Sequence, residues 1–312
     1  MMTAAANVRT DTDMSELTTI CNQLADAVQT AAAWTVRVQA RRGPPASGIA
    51  LASDLVLTAD HVVDPAREDS IRIGLPDGSE VGGSVVGRDP ATDIAILRIA
   101  SGSLPPARAA HGEPRTGSLA LVVGRPGREA NASLGLVTGL AGPARTRRGG
   151  MLERFIQVDA VMYPGFSGGS LVDAEGVVLG MITSGLGFGG PAVAIPWSLA
   201  SQVAETIGKH GKVPRGYLGV GSQPVTLSPQ AKELTGGQER GLLVVQVAEG
   251  GPAASAGFLQ GDILVRLDGT SVTNADDLQG LLGPNRVGAN VTASVVRGGE
   301  LRDLNVTVGT RE

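Results

Sequence analysis

The chain has 312 residues, which suits two domains on a prior of about 100–200 residues each. Hydrophobic residues make up 42% and aromatics only 3%, so its cores must be built mostly from Val, Leu, Ile and Ala. The net charge of −4 gives none of the basic excess that a nucleic-acid-binding surface carries, and nucleic acid is not an expected partner.

Residues 1–12 are polar and small and read as a tail. From Met14 to Ala33, Leu17, Ile20, Cys21, Leu24 and Val28 recur at three- and four-residue intervals, which marks one face of a helix. Asp13 and Glu16 form a capping start for it. Cys21 is the only cysteine, so it forms no intramolecular disulfide. It reads as a residue packed on the helix face, since small cysteines are often buried. No run reaches the ~18 apolar residues a membrane span needs. The opening residues lack an apolar core after a basic start and do not read as a secretory signal. On that reading the expected location is the cytoplasm.

After Ala33 the period changes. WTVRVQA, GIALA, LVLTA, SIRIGL, DIAILRI, SLALVVG, RFIQVDA and GVVLGMIT are short Val/Ile/Leu runs separated by Gly, Pro and Asp. Many short strands without intervening helices predict an antiparallel barrel or sandwich. A helix returns over Ser198–Gly208, with Leu199, Val203 and Ile207 on one face, and GKHGKVPRG stops it and begins a linker. The last hundred residues have another rhythm. A strand at YLGVG and a helix opened by Ser228-Pro229 come first. Strands at GLLVVQV and DILVRLDG, a helix near Asn274–Leu282 and a final strand pair follow. The expected division is 1–33 tail and helix, 34–208 first domain, 209–215 linker and 216–312 second domain.

The stretch YPGFSGGS, Tyr163 to Ser170, poses the functional question. A serine hydroxyl is a weak nucleophile and needs a base within hydrogen-bond reach and a third group to orient that base. There are three histidines. His111 sits in a polar loop and His210 beside the linker, whereas His61 ends the apolar strand LVLTA, where a fixed backbone can aim it. Asp93 heads the apolar strand DIAILRI, where a charge costs free energy unless it is paired. Asp60 is the poorer partner for His61, because adjacent side chains on extended backbone point apart. Glycines around Ser167 allow a tight path that presents the N–H groups of Gly165 and Ser167 to a developing oxyanion. The same residues fit a G-x-S-x-G elbow, but that elbow needs the acid and histidine after the serine, and a helix next. Here His61 and Asp93 come first and a hairpin pattern follows.

SGIALASDLVLTADHVV, DPATDIAILRI, QVDAVMYPGFSGGSLVDAEGVVLGMIT and AVAIP resemble the landmarks of trypsin-like serine proteases of the HtrA type, and the trailing domain resembles their PDZ domain. The resemblance runs from about Trp34 to Val308. It implies a mainly β fold: a trypsin-like double antiparallel β-barrel followed by a small α+β PDZ domain. It places the family triad on His61, Asp93 and Ser167. Phe166 departs from the small polar residue common before the nucleophile, and Ser170 from a common proline. The loop before SGIAL, often long in this family, is only RRGPPA. In the PDZ domain Tyr217, Leu218, Gly219 and Val220 resemble the carboxylate-binding loop, with Arg215 just upstream as added charge. Arg145, Arg147 and Arg148 fall in a loop whose family equivalent senses occupancy of that domain.

The expected function is that of an ATP-independent serine endopeptidase cleaving unfolded or misfolded proteins, with C-terminal peptides bound at the PDZ domain, no cofactor, no metal and a possible homotrimer. The alternative is a non-proteolytic chaperone or peptide-binding scaffold on the same fold. The pocket for the residue before the cut falls on TSGLGFGGPAVAIP and YPGFSGG. The first stretch has no acid, and Ala192, Val193 and Ala194 are its expected apolar lining, so the predicted cleavage is after Val, Ile, Ala or Leu.

Overall fold

A computed structural model of the chain describes residues 11–110, 112–146, 151–186, 192–211, 213, 216–283 and 286–310. The chain divides into two compact units, one made of Met1–Ala144 and Leu152–Lys212 and the other of Arg145–Met151 and Val213–Glu312.

The first unit holds two closed six-stranded barrels. Strands β1 (Thr35–Gln39), β2 (Ala46–Ala50), β3 (Leu55–Ala59), β4 (Ile71–Gly74), β5 (Glu80–Asp89) and β6 (Ile94–Ile99) close the first in the order β1-β2-β3-β6-β5-β4. All its pairings are antiparallel. Val36, Ile49, Leu57, Ile73, Ile94 and Leu97 are fully buried, so the absence of aromatics is met by branched aliphatics. Each such side chain contributes about 1.5–3 kcal/mol on burial.

Strands β7 (Leu119–Gly124) and β8 (Asn131–Ala141) start the second barrel, and a short pair, β9 (Ala144–Arg145) and β10 (Met151–Leu152), lies outside it. Strands β11 (Phe155–Val158), β12 (Ser170–Val172), β13 (Val178–Thr183) and β14 (Ala192–Pro196) complete it in the order β11-β14-β13-β12-β7-β8. The double antiparallel barrel is as the sequence leads one to expect. Strand β5 has no counterpart in the periodicity, because Gly82, Gly83 and Gly87 interrupt it and most of its residues stay partly exposed.

Helix α1 runs over Asp11–Ala32 and so starts before Asp13. Of its predicted apolar face, Leu17 and Ile20 remain about half exposed and Leu24 and Val28 are only half-buried; the residues that pack fully are Ala27 and Ala31, which the prediction did not include. Cys21 is exposed as well, contrary to the expectation of a packed thiol. Helix α2 spans Trp197–His210 and passes through Gly208. It ends at Gly211, whose φ of 72° is the left-handed conformation that glycine adopts without a Cβ penalty.

The second unit is a sheet in the order β16-β17-β18-β20-β21, formed by Val220–Thr226, Arg240–Val247, Ile263–Leu267, Asn290–Arg297 and Glu300–Thr307, with β19 (Thr270–Ser271) paired to β18. A further pair joins β15 (Gly216–Tyr217) to β22 (Gly309–Thr310). Ser228 caps α3 (Pro229–Leu234), and Asn274 caps α5 (Ala275–Leu281), each accepting a backbone N–H in the first turn. Between them lies α4 (Pro252–Ser255). Leu218, Leu242, Phe258, Leu264 and Val295 are among the core residues. Asp262, almost fully buried, accepts two bonds from the Arg297 guanidinium. Burial alone would raise its pKa, but that pairing and the Leu259 N–H hold the carboxyl below the usual range. The predicted strand at YLGVG is broken in two at Gly219, where φ is 83°.

Candidate active site

His61 lies in a single 3-10 turn, Asp60–Val62, directly after β3. That turn is fastened from β5. Arg88 Nε donates to Asp60 Oδ1 at 2.6 Å, and its Nη2 donates to the Val63 carbonyl at 2.9 Å. Asp60 is fully buried and turned to Arg88. Burial acts to lower the Arg88 pKa, and the Asp60 and Glu68 carboxylates outweigh it and raise it. Asp93 precedes β6 with φ at 60°, a conformation that aspartate tolerates better than most residues.

The two side chains meet. His61 Nδ1 lies 2.9 Å from Asp93 Oδ2 and 3.1 Å from Oδ1, and the His61 backbone N–H donates to Oδ1 at 2.9 Å. Thr183 Oγ1 donates to Oδ2 as well, and the Gly185 N–H donates to Thr183 Oγ1 at 2.9 Å. These bonds offset the cost of holding the Asp93 carboxylate at 3% side-chain exposure. With Nδ1 facing two carboxylate oxygens, the ring proton sits on that nitrogen and leaves Nε2 as the acceptor. Residue 185 must be small: a Cβ there would collide with both Asp93 Oδ2 and His61 Nδ1.

Ser167 stands between two turns whose form follows from sequence. Tyr163-Pro-Gly-Phe166 closes with the Phe166 N–H on the Tyr163 carbonyl at 3.1 Å. Pro164 at the second position, and Gly165 with φ 86° at the third, are what a type II turn demands. The Gly169 N–H closes the next turn on the Phe166 carbonyl at 2.8 Å. Among the described residues neither the Gly165 nor the Ser167 N–H has an acceptor, so both are available to an anion. Ser167 Oγ lies 2.9 Å from Ser184 Oγ and accepts the Ser184 N–H at 3.3 Å. Among the described residues it makes no hydrogen bond to His61, so Ser184 holds it in the resting arrangement.

Other predicted positions resolve as follows. Phe166 is fully buried in the second barrel's core, edge-on to Tyr163 with ring centres 5.4 Å apart, so its size fills the core. Ser170 is fully buried in β12. Ala194 packs in the same core as Phe166, Val193 is nearly buried on β14, and Ala192 is half-buried at its start. Leu218 is in the second unit's core, with Tyr217 ending β15, Gly219 at the break and Val220 opening edge strand β16. His111, Arg147, Arg148, Arg215, residues 187–191 and the side chains of Arg145 and His210 lie outside the described residues. Sequence reasoning missed Arg88, Thr183, Ser184 and Gly185. For Gly185 the signal was a glycine next to a buried strand end, and the others carry no local signal.

Residues 46–181 match the family model of the trypsin-like peptidase domain, and residues 216–308 that of a PDZ domain. Two trypsin-type barrels followed by a PDZ unit define a serine-protease class. The chain is 36% identical over 270 residues to the probable periplasmic serine endoprotease DegP-like of Pseudomonas putida (strain W619), covering 84% of this chain and 55% of that protein. Its counterpart in Halomonas elongata is 33% identical over 270 residues, 84% of this chain and 56% of that one. Among solved structures, the HtrA-type protease AlgW with decapeptide superposes with a TM-score of 0.68 at 30% identity, covering 93% of this chain and 99% of that one. The serine endoprotease from Yersinia pestis gives 0.67 at 28%, with 93% and 98% covered. The chain belongs to the HtrA-type serine proteases with a PDZ domain. It spans about half the length of the curated relatives it matches. The expected cytoplasmic location is overturned, because these relatives are named periplasmic endoproteases. That expectation rested on the opening residues and on the lack of a membrane-spanning run, and neither feature sets a compartment.

Proposed function

We propose that the protein is an ATP-independent serine endopeptidase acting on unfolded or misfolded polypeptides in the periplasm. The observation that carries this reading is the pairing of the His61 ring with the buried Asp93 carboxylate, beside a Ser167 turn with two open N–H groups. Ser167 Oγ turns from Ser184 toward His61 and attacks the scissile carbonyl. His61 Nε2 takes its proton and passes it to the leaving amine, with Asp93 stabilising the imidazolium. The Gly165 and Ser167 N–H groups receive the oxyanion. Water then hydrolyses the acyl-enzyme with His61 again as base.

The cleavage preference on this reading is for small aliphatic residues, supported by the apolar Ala192 and Val193 and by the lack of an acid in TSGLGFGGPAVAIP. In the second unit β16 is an edge strand that, among the described residues, pairs only with β17, which suits addition of a peptide's C-terminal strand beside the Tyr217–Val220 loop. A homotrimer belongs to the same reading, supported by the exposed Leu17 and Ile20 on α1. The test is digestion of casein. The native protein is expected to cleave it, mainly after Val, Ile, Ala or Leu, and Ser167→Ala to lose ~10³-fold or more. Unchanged turnover by Ser167→Ala would refute the reading.

A further inference from the structure

The two N–H groups proposed as oxyanion donors belong to residues whose carbonyls are both held by one side of the first barrel. Ser47, on β2, is fully buried. Its Oγ donates to the Gly165 carbonyl at 2.7 Å, and its N–H donates to the Ser167 carbonyl at 3.1 Å. The peptide plane joining Gly165 to Phe166 is thereby tied at both ends, by Ser47 Oγ on its oxygen and by the Tyr163 carbonyl on its N–H. Ser47 is itself fixed from two further directions. The Arg125 N–H donates to its Oγ at 2.8 Å, and Thr58 Oγ1 donates to its carbonyl at 2.7 Å. Arg125 cannot drift, because its guanidinium donates to the carbonyls of Ala32, Thr35 and Arg128. Every polar group of Ser47 is therefore engaged, and the hydroxyl's one acceptor is Gly165.

We infer that Ser47 is a positioning residue for this protease: it sets the orientation of the Gly165 turn, and hence the aim of its open N–H. A backbone donor accelerates acyl transfer only where it meets the oxyanion as charge develops, and a misplacement of about 1 Å costs up to ~10²-fold. Replacing Ser47 by Ala leaves its N–H on Ser167 but removes the side-chain bond that restrains the Gly165 carbonyl. The loss falls on the transition state and spares binding of the substrate, so it shows in kcat and leaves KM nearly unchanged.

The inference rests on the proposed triad, and the experiment separates the two. The native protein is first treated with a fluorophosphonate: labelling at Ser167 upholds the triad, and labelling elsewhere removes it. On a short peptide substrate, Ser47→Ala is then expected to lower kcat ~10-fold or more with KM within ~2-fold. A peptidyl boronic acid, which forms a tetrahedral anion at the serine, should lose affinity by a similar factor. Ile73→Ala, in the first barrel's core on β4, two strands from Ser47 and outside its hydrogen bonds, serves as the control: it should lower Tm and keep kcat. If Ser47→Ala does not fold, Ser47→Cys carries the test, because a thiol is a weak donor in nearly the same space. Native kcat in the Ser47 variant, or an equal loss in Ile73→Ala, would overturn the inference.

Discussion

The two barrels contribute to the site by different physics. The first supplies His61 and Asp93 as side chains and holds them largely with charge: the ring faces the Asp93 carboxylate and the His61 turn is bolted by the Arg88 guanidinium, while the neutral Thr183 hydroxyl that also donates to Asp93 comes from β13 of the second barrel. The second supplies Ser167 on a platform of backbone turns whose open N–H groups are fixed by Pro164, Gly165 and glycines 168 and 169, with little ionisable support. One half is therefore sensitive to the chemical type of a side chain, and the other to the presence of any side chain at all.

Substitutions can set these halves against each other. The largest effect is expected from Asp93→Asn. Asparagine tolerates the φ of 60°, so the fold should survive, while the ring loses its carboxylate and adopts the wrong tautomer. A ~10⁴-fold drop in kcat with an unchanged Tm is the expected result in steady-state kinetics. Gly165→Ala comes next. Its φ of 86° strains an alanine, and a Cβ there would press on Pro126 and the Pro45 carbonyl, so the turn must shift. The expected loss is ~10²–10³-fold, as for removing an oxyanion donor, although no reacting side chain is altered. An Asp93→Asn variant with near-native kcat, or a Gly165→Ala variant indifferent to the added methyl, would erase the contrast. The smallest effect is expected from Ser184→Ala, which frees Ser167 from its resting partner. A neutral hydrogen bond is worth about 1 kcal/mol net, so kcat should rise by no more than ~5-fold. A fall in kcat would instead assign Ser184 a part in the reaction.

The contrast also explains what the sequence makes legible. His61 and Asp93 stand out because a titratable residue at the end of an apolar strand is chemically conspicuous. The Gly165 and Ser167 turn stands out because proline and glycine announce their φ. Ser47, Arg88, Thr183 and Ser184 act across 17 to 118 residues of chain, by hydrogen bonds that leave no local periodicity. Strand β5 escapes for a related reason: its glycines and partial exposure blur the alternation, yet it carries Arg88. Helix α1 shows the opposite error. Its periodic face is real, but a period says that a face is apolar and not where along its length a partner covers it, so Cys21 and Ile20 stay exposed while Ala31 is buried. Location lies beyond such reasoning, because a compartment is an address and not a packing property.

The central claim is that Ser167 is a nucleophile activated by His61. It is tested most directly by treating the native protein with a fluorophosphonate probe and mapping the modified residue by mass spectrometry. The account predicts a single adduct on Ser167 that disappears on heat denaturation and in His61→Ala. An adduct on Ser170 or Ser184, or labelling of Ser167 that persists undiminished without His61, would contradict it.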